Sequence, residues 1–317
     1  MRRSYSSLAG RLLLGTVLLL AVAAGATHDP RGAHAQAALV VDDDGRATAT
    51  DCNAQQKTFS TVQSAVDAAQ PGSTIVICPG TYAEQVAVTK NNVTLQGSGQ
   101  GATVLRPGAV PVTVPSLLLQ VAVAPIVLIN GATGVTVSRL TIDGSVAERG
   151  ASTLFCPQVG FYTGLYFRNA SGTVDAARIT TVNSGARCSD GVHVEGNSAG
   201  VSNLVVKNSV VDHNGNFGVA CVGPGTTCTI TGNTVRGRGS VTDQIQAGIV
   251  IRGGAAATIA GNAIRDHTYA LAQGVPTKSV GIFLVNADPG VNPHLLQENT
   301  FVNNDLNVQR VSSEGAL

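Results

Sequence analysis

The chain has 317 residues, with 20 Lys and Arg against 19 Asp and Glu, a formal net charge of +1, and only 12% of its residues charged. So few cations cannot draw the basic stripe that grips a phosphate backbone, which argues against a nucleic-acid binder. The 44% hydrophobic content with near-zero net charge excludes a disordered chain.

The first element is an address. Arg2, Arg3 and Arg11 precede an unbroken run of 15 mostly apolar residues, Leu12 to Ala26. A membrane span needs about 20, so the run reads as the core of a signal peptide. Small-residue cleavage sites lie at Ala24-Gly25-Ala26, Ala33-His34-Ala35 and Ala35-Gln36-Ala37. Residues 1–35 are therefore expected to be a signal peptide, cut between 26 and 37, and residues 38–317 one domain with no membrane span. Export sets the compartment as secreted, extracellular or periplasmic. Cys52, Cys78, Cys156, Cys188, Cys221 and Cys228 agree with an oxidising compartment. Six cysteines allow fifteen pairings, of which the sequential one (52–78, 156–188, 221–228) is the simplest.

Asp42-Asp43-Asp44-Gly45 could hold calcium through oxygen ligands, but it lacks a complete loop of alternating ligands and reads equally as a turn. No other cofactor is implied. Ser60-Thr61-Val62-Gln63 is a capping-box pattern. Val62, Ala65, Val66 and Ala69 continue with helical spacing until Pro71-Gly72. One helix near 60–70 is expected, covering the open end of a repetitive body.

The remainder repeats. A Gly-led string of alternating apolar residues returns as GLYF at 164, GVHV at 191, GVAC at 218, GIVI at 248 and GIFL at 281, spaced 27 to 33 residues apart. A second string centres on Asn208, Asn233, Asn262 and Asn299. Period-two alternation bounded by turn residues is the signature of strands. Short strands and turns repeating at this interval describe a solenoid whose coils bury their inner faces only by stacking. The fold class is all-β, a single-stranded right-handed parallel β-helix with an N-terminal capping α-helix. The four Asn are expected to stack as a ladder at one corner.

Phe59 to Gly99 then carries a specific likeness. Pro79, Gly80, Thr81, Tyr82, Glu84 and Val86, followed by Val93, Leu95, Gly97 and Gly99, resemble the opening of right-handed parallel β-helix proteins of the pectin-lyase-like superfamily, in pattern close to pectin methylesterases. The later repeats resemble the generic coil of that superfamily, so the likeness covers about residues 40 to 310. It implies the fold and a carbohydrate-related role. Its members include esterases, lyases, hydrolases, epimerases and adhesins, so it does not imply one activity. The catalytic motifs of pectin methylesterases, calcium-dependent pectate lyases and polygalacturonases are not found, and with no Trp the methylesterase L-G-R-P-W motif cannot exist.

Alternation along the Gly-led strings places Leu165, Val192, Val219, Ile249 and Ile282 inward. Tyr166, Arg168, His193, Glu195, Ala220, Val222, Val250, Arg252, Phe283 and Val285 then face outward. With coils about 4.8 Å apart, Tyr166, Arg168, Asp190, His193 and Glu195 could share one patch. The candidate catalytic residues are Asp190, His193, Glu195 and Arg168, because a His beside a carboxylate suits proton transfer. The candidate substrate-binding residues are Tyr166, Tyr162 and Arg252, rings for a sugar face and a guanidinium for a uronate. The irregular insertion Ser145 to Gly160 is the segment expected to carry function. A second polar set, Asp143, Asp212-His213-Asn214, Asp266-His267 and Asn303-Asn304-Asp305, reads mainly as turns.

Two readings result. The first is a secreted carbohydrate-active or carbohydrate-binding protein acting on an acidic, pectin-like polysaccharide; as an enzyme it would be a lyase, esterase or glycoside hydrolase. The alternative is a non-catalytic extracellular structural or adhesion β-helix. The partner is a polysaccharide or cell-surface glycan. An ice- or mineral-binding lattice would need outward Thr columns, and Thr227, Thr229 and Thr231 suggest only one such coil. The periplasmic β-helix type that helps insert metal into partner enzymes lacks support from a Met/His array, because the single Met is the initiator.

Overall fold

The Gly-led and Asn-led strings form strands, and their hydrogen bonds run to the equivalent strands of the neighbouring coils. A computed structural model describes residues 38–43, 52, 58–111, 113–145, 161–183, 189–197, 202–270 and 278–312. The signal-peptide expectation for 1–35, the cysteines Cys156 and Cys188, and nearly all of the 145–160 insertion lie outside these residues. Three sheets of 9, 8 and 9 strands run the length of the described chain. A single coil shows the plan. Ser189–Glu195 lies in one sheet, Ser202–Lys207 in the next and Val210–Asp212 in the third, before Phe217–Val222 returns beneath the start. The three strands of this coil pair parallel and in register with the equivalent strands of the next. The fold is a right-handed parallel β-helix, and one continuous core of stacked Val, Ile and Leu fills it from Val41 to Leu295.

The capping helix is α1 (Val62–Ala68). Its N-cap is Thr61, whose side chain accepts from the Ser64 N–H, not Ser60 with a reciprocal Gln63. The donors left over, Val62 and Gln63 N–H, are taken by the Glu84 carboxylate at 2.7 and 2.8 Å. Glu84 belongs to the PGTY-E segment, so that motif ties the cap to the first coil. Cys52–Cys78 and Cys221–Cys228 form disulfides.

The Gly of each Gly-led string is a steric requirement. A Cβ on Gly191 would lie 2.7 Å from the Gly218 carbonyl oxygen, and one on Gly218 would lie 2.6 Å from that of Gly248. The strands of this column also change phase at their glycines. Asp190 and His193, three residues apart, would face opposite sides of an uninterrupted strand, yet their side chains are hydrogen-bonded to each other.

The corner ladder is shifted from its expected register. Asn233 and Asn262 each place both backbone N–H and Nδ2 on the Oδ1 of the next Asn, Asn262 and Asn299 respectively. The residue below Asn233 is Ser209, whose N–H bonds the Asn233 Oδ1. Lys207 pairs with Thr231, which sets Asn208 beside Gly232; Asn208 has a positive φ of 51° and bonds Asp175 instead.

Contrary to the single Thr coil expected, a Thr column is present. Thr74, Thr94, Thr136 and Thr173 align in adjacent strands, followed by Val205, Thr229 and Thr258. The first three sit in coils without the Gly and Asn markers that set the register by sequence, and Thr173 in a coil with the Gly marker only. The next column is mixed, with Gln96, Ser138, Asp175, Lys207 and Thr231. A lone column of β-branched residues suits a half-buried pleated surface and stabilises it by cross-strand pairing.

Candidate functional site

The outward face of the Gly-led column is largely covered. Tyr166, His193, Glu195, Ala220, Val222, Val250, Phe283 and Val285 are all buried. One cover is a flap with no counterpart among the expected elements. Val114–Pro115 pairs antiparallel with the start of the strand Ala122–Asn130, and the turn Ser116–Val121 projects over the Ser189–Glu195 strand. Pro115 suits an edge strand, and Ser116 Oγ accepts from the Leu119 N–H.

Glu195 anchors this flap. Its two carboxylate oxygens accept from Leu117 N–H at 2.7 Å and Leu118 N–H at 3.0 Å, and Oε2 also accepts from the Tyr166 hydroxyl. Burial, and then the Glu195 charge, push the Tyr166 hydroxyl above its ordinary value, so it stays protonated and donating. Arg168 completes the anchorage: Nε donates to the Pro115 carbonyl at 2.9 Å and Nη1 to Asn130 Oδ1 at 3.2 Å.

Beneath the flap lies a cavity of about 120 Å³. Its lining comes from three neighbouring strands, with Asp190, His193 and Glu195 on the first, Phe217, Ala220 and Val222 on the second, and Arg252 at the end of the third. Leu118 and Leu119 of the flap form the roof. His193 Nδ1 lies 2.7 Å from Asp190 Oδ2, and both side chains are buried. A carboxylate only accepts, so Nδ1–H donates to it, and in the neutral ring Nε2 is the basic nitrogen. The Tyr166 ring meets the His193 ring edge-on, 5.3 Å between centroids. An imidazole oriented by a carboxylate in a partly enclosed cavity can carry a proton to or from a bound ligand.

The structure sorts the sequence candidates. Asp190, His193, Glu195 and Arg252 come together at the cavity. Arg168 does not line it and holds the flap. Tyr166 is fully buried and cannot offer a face to a sugar. Tyr162 is a core residue at 1% exposure: it precedes Gly164, so the change of phase turns it inward. The Leu117-Leu118-Leu119 run between Pro115 and Gln120, which fits no strand periodicity, is the signal that would have located the flap.

The aspartates of the second polar set form three ion pairs, each bridging two neighbouring coils: Arg106–Asp143, Arg178–Asp212 and Arg236–Asp266 at 2.7 to 3.0 Å. Burial opposes ionisation of Asp212, but hydrogen bonds from Arg178 and Thr180 outweigh it and hold the carboxyl below its usual range. His267 is different. It is enclosed against Gly248, with Nδ1 2.9 Å from Asn304 Oδ1, and burial lowers its pKa to about 4.

Residues 84–316 match the family model for the periplasmic copper-binding protein NosD. The chain belongs to this family. With the disulfides, that membership places the protein outside the cytoplasm. Copper calls for thiolate, thioether or imidazole donors gathered at one point. The described cysteines are all in disulfides, the one methionine is residue 1, and no group of three or more His, Cys, Asp or Glu converges among the described residues. Asp42 and Asp43 are described without their neighbour Asp44. The donor set of the described residues does not fit copper.

No curated protein sequence matches the chain. Among solved structures, it is similar to the pectin methylesterase from Erwinia chrysanthemi at 14% identity, covering 84% of this chain and 92% of that one, with a TM-score of 0.43. An alginate lyase from Paenibacillus is 13% identical over 78% of this chain and 96% of that one, TM-score 0.34. The A-module of a mannuronan C-5 epimerase from Azotobacter vinelandii is 14% identical over 80% and 93%, TM-score 0.33. Among the described residues, no helix is long and apolar enough to cross a membrane.

Proposed function

We propose that this protein, exported by a leader in residues 1–35, takes a sugar acid of an acidic polysaccharide into the cavity beneath the flap. In this reading His193 is the proton-transferring residue, Asp190 orients it, and Arg252 meets the sugar carboxylate. The observation that carries the reading is the buried Asp190–His193 pair on the floor of a cavity that Arg252 also lines. A guanidinium suits a planar carboxylate, and the apolar roof of Leu118 and Leu119 suits the apolar face of a sugar ring. Glu195 and Arg168 serve as flap anchors, since their polar atoms already hold the flap backbone. The commitment of Glu195 to those bonds also favours a second reading, in which the cavity binds the sugar without turning it over.

The test incubates the exported protein, with and without calcium, against pectin, polygalacturonate, alginate and a neutral glucan, with products read by mass spectrometry. A shortened, unsaturated or demethylated product from an acidic glycan is expected, and His193→Ala should lower its rate by about 10²–10⁴-fold. An undiminished rate in that variant removes His193 from the reaction. Binding of an acidic glycan without product supports the second reading, and neither binding nor product refutes both.

A further inference from the structure

We infer that the cavity receives one terminal sugar-acid unit rather than an internal stretch of polymer, an inference that rests on the proposed function above. A polymer lying along a solenoid needs an open outer column across several coils. Here the column is closed on both sides of the cavity. Toward the N-terminus, Val123, Leu128 and Tyr166 are buried together with Val114 of the flap packed on them, and Glu195 pins the flap turn in place. Toward the C-terminus, Ala247, Val250, Val280, Phe283 and Val285 form a second outer-face cluster, with Val250 and Phe283 each 1% exposed. The open part of the column is the three strands that line the cavity, two coil spacings or roughly 10 Å. Its volume of about 120 Å³ lies well below the roughly 300–1,000 Å³ of sites for drug-sized ligands. That is room for a single ring, held between the His193 floor and the Leu118–Leu119 roof, with the rest of the chain outside.

The test measures binding of galacturonate and mannuronate as monomers, dimers and decamers by titration calorimetry on the intact protein. For the series that binds, dimer and decamer are expected to have dissociation constants within about twofold, because each chain offers one acceptable end, and saturation-transfer signals should be confined to the terminal unit of the decamer. Tightening of tenfold or more from dimer to decamer, or transfer spread over internal units, overturns the end-binding inference while leaving the proposed sugar-acid site standing. No binding at any length overturns both.

Discussion

Asp190 and His193 owe their meeting to the glycine between them. Without the change of phase at Gly191, the carboxylate would face the core or the imidazole would, and neither could be buried there unpaired without a large cost. Another imidazole, His267, bonds the neutral Asn304 and is itself held neutral by burial, with a pKa near 4. Its consequence is pH-dependent stability. In the unfolded chain a histidine takes its proton near pH 6.5; in the folded protein it resists until about pH 4. The unfolded state therefore binds the proton first, and stability present above pH 6.5 is lost as pH falls toward 4, by about 3 kcal/mol in order of magnitude. Urea unfolding at pH 7 and pH 4.5 should show this loss, and His267→Gln should flatten that slope even though it lowers stability at pH 7. An unchanged slope in the variant would mean that other groups carry the acid sensitivity.

At the scale of the element, the recurring glycine and the flap matter most. Gly218→Ala would press a Cβ to 2.6 Å from the Gly248 oxygen and 2.9 Å from Val235. Overpacking of this kind costs about 1–3 kcal/mol, seen as a thermal midpoint lowered by several degrees, whereas Gly101→Ala, with nothing within 4 Å, should leave it unchanged. For the flap, Glu195→Gln keeps the side-chain shape but puts an amide donor where a carboxylate oxygen now accepts a backbone N–H. The turn at 116–121 should then be cut several-fold faster by a nonspecific protease while the rest of the solenoid stays intact. Equal cleavage of variant and wild type would show that Glu195 does not hold the flap.

These elements also show how much of the fold was legible in the sequence. The Gly-led and Asn-led strings gave away the solenoid because stacking forces the same residue types to return at each corner and each close approach. The ladder register slipped by one because KNS and TGN both place an Asn near the corner, and only strand pairing distinguishes Asn208 from Ser209. Coil spacing alone could bring Asp190, His193 and Glu195 into one patch, with Arg252 a separate candidate two coils on. Their cover is harder to read, because the flap is a non-repeating antiparallel turn held by backbone N–H groups, and its one sequence mark is the aperiodic Leu117-Leu118-Leu119 run. Tyr162 and Tyr166 depart from their expected places for related reasons: one lies before the change of phase, the other beneath the flap.

The chain is a β-helix of the NosD family whose described residues gather no copper donors, and a hydrogen-bonded Asp190–His193 pair lines a cavity under its flap. Its outer column is covered on both sides of that cavity, so the rest of the solenoid serves as a rigid frame that sets the position of three strands. The central claim is that this cavity, and no other part of the surface, takes a sugar acid. The most direct measurement tracks the imidazole resonances of His193, His213, His267 and His294 by NMR while galacturonate, and separately mannuronate, is added. The account predicts that one of these sugar acids shifts the His193 signals saturably and leaves those of His213 and His294 in place, with the response lost in Arg252→Gln. Saturable shifts elsewhere with His193 unmoved, or no response to either sugar acid, would contradict it.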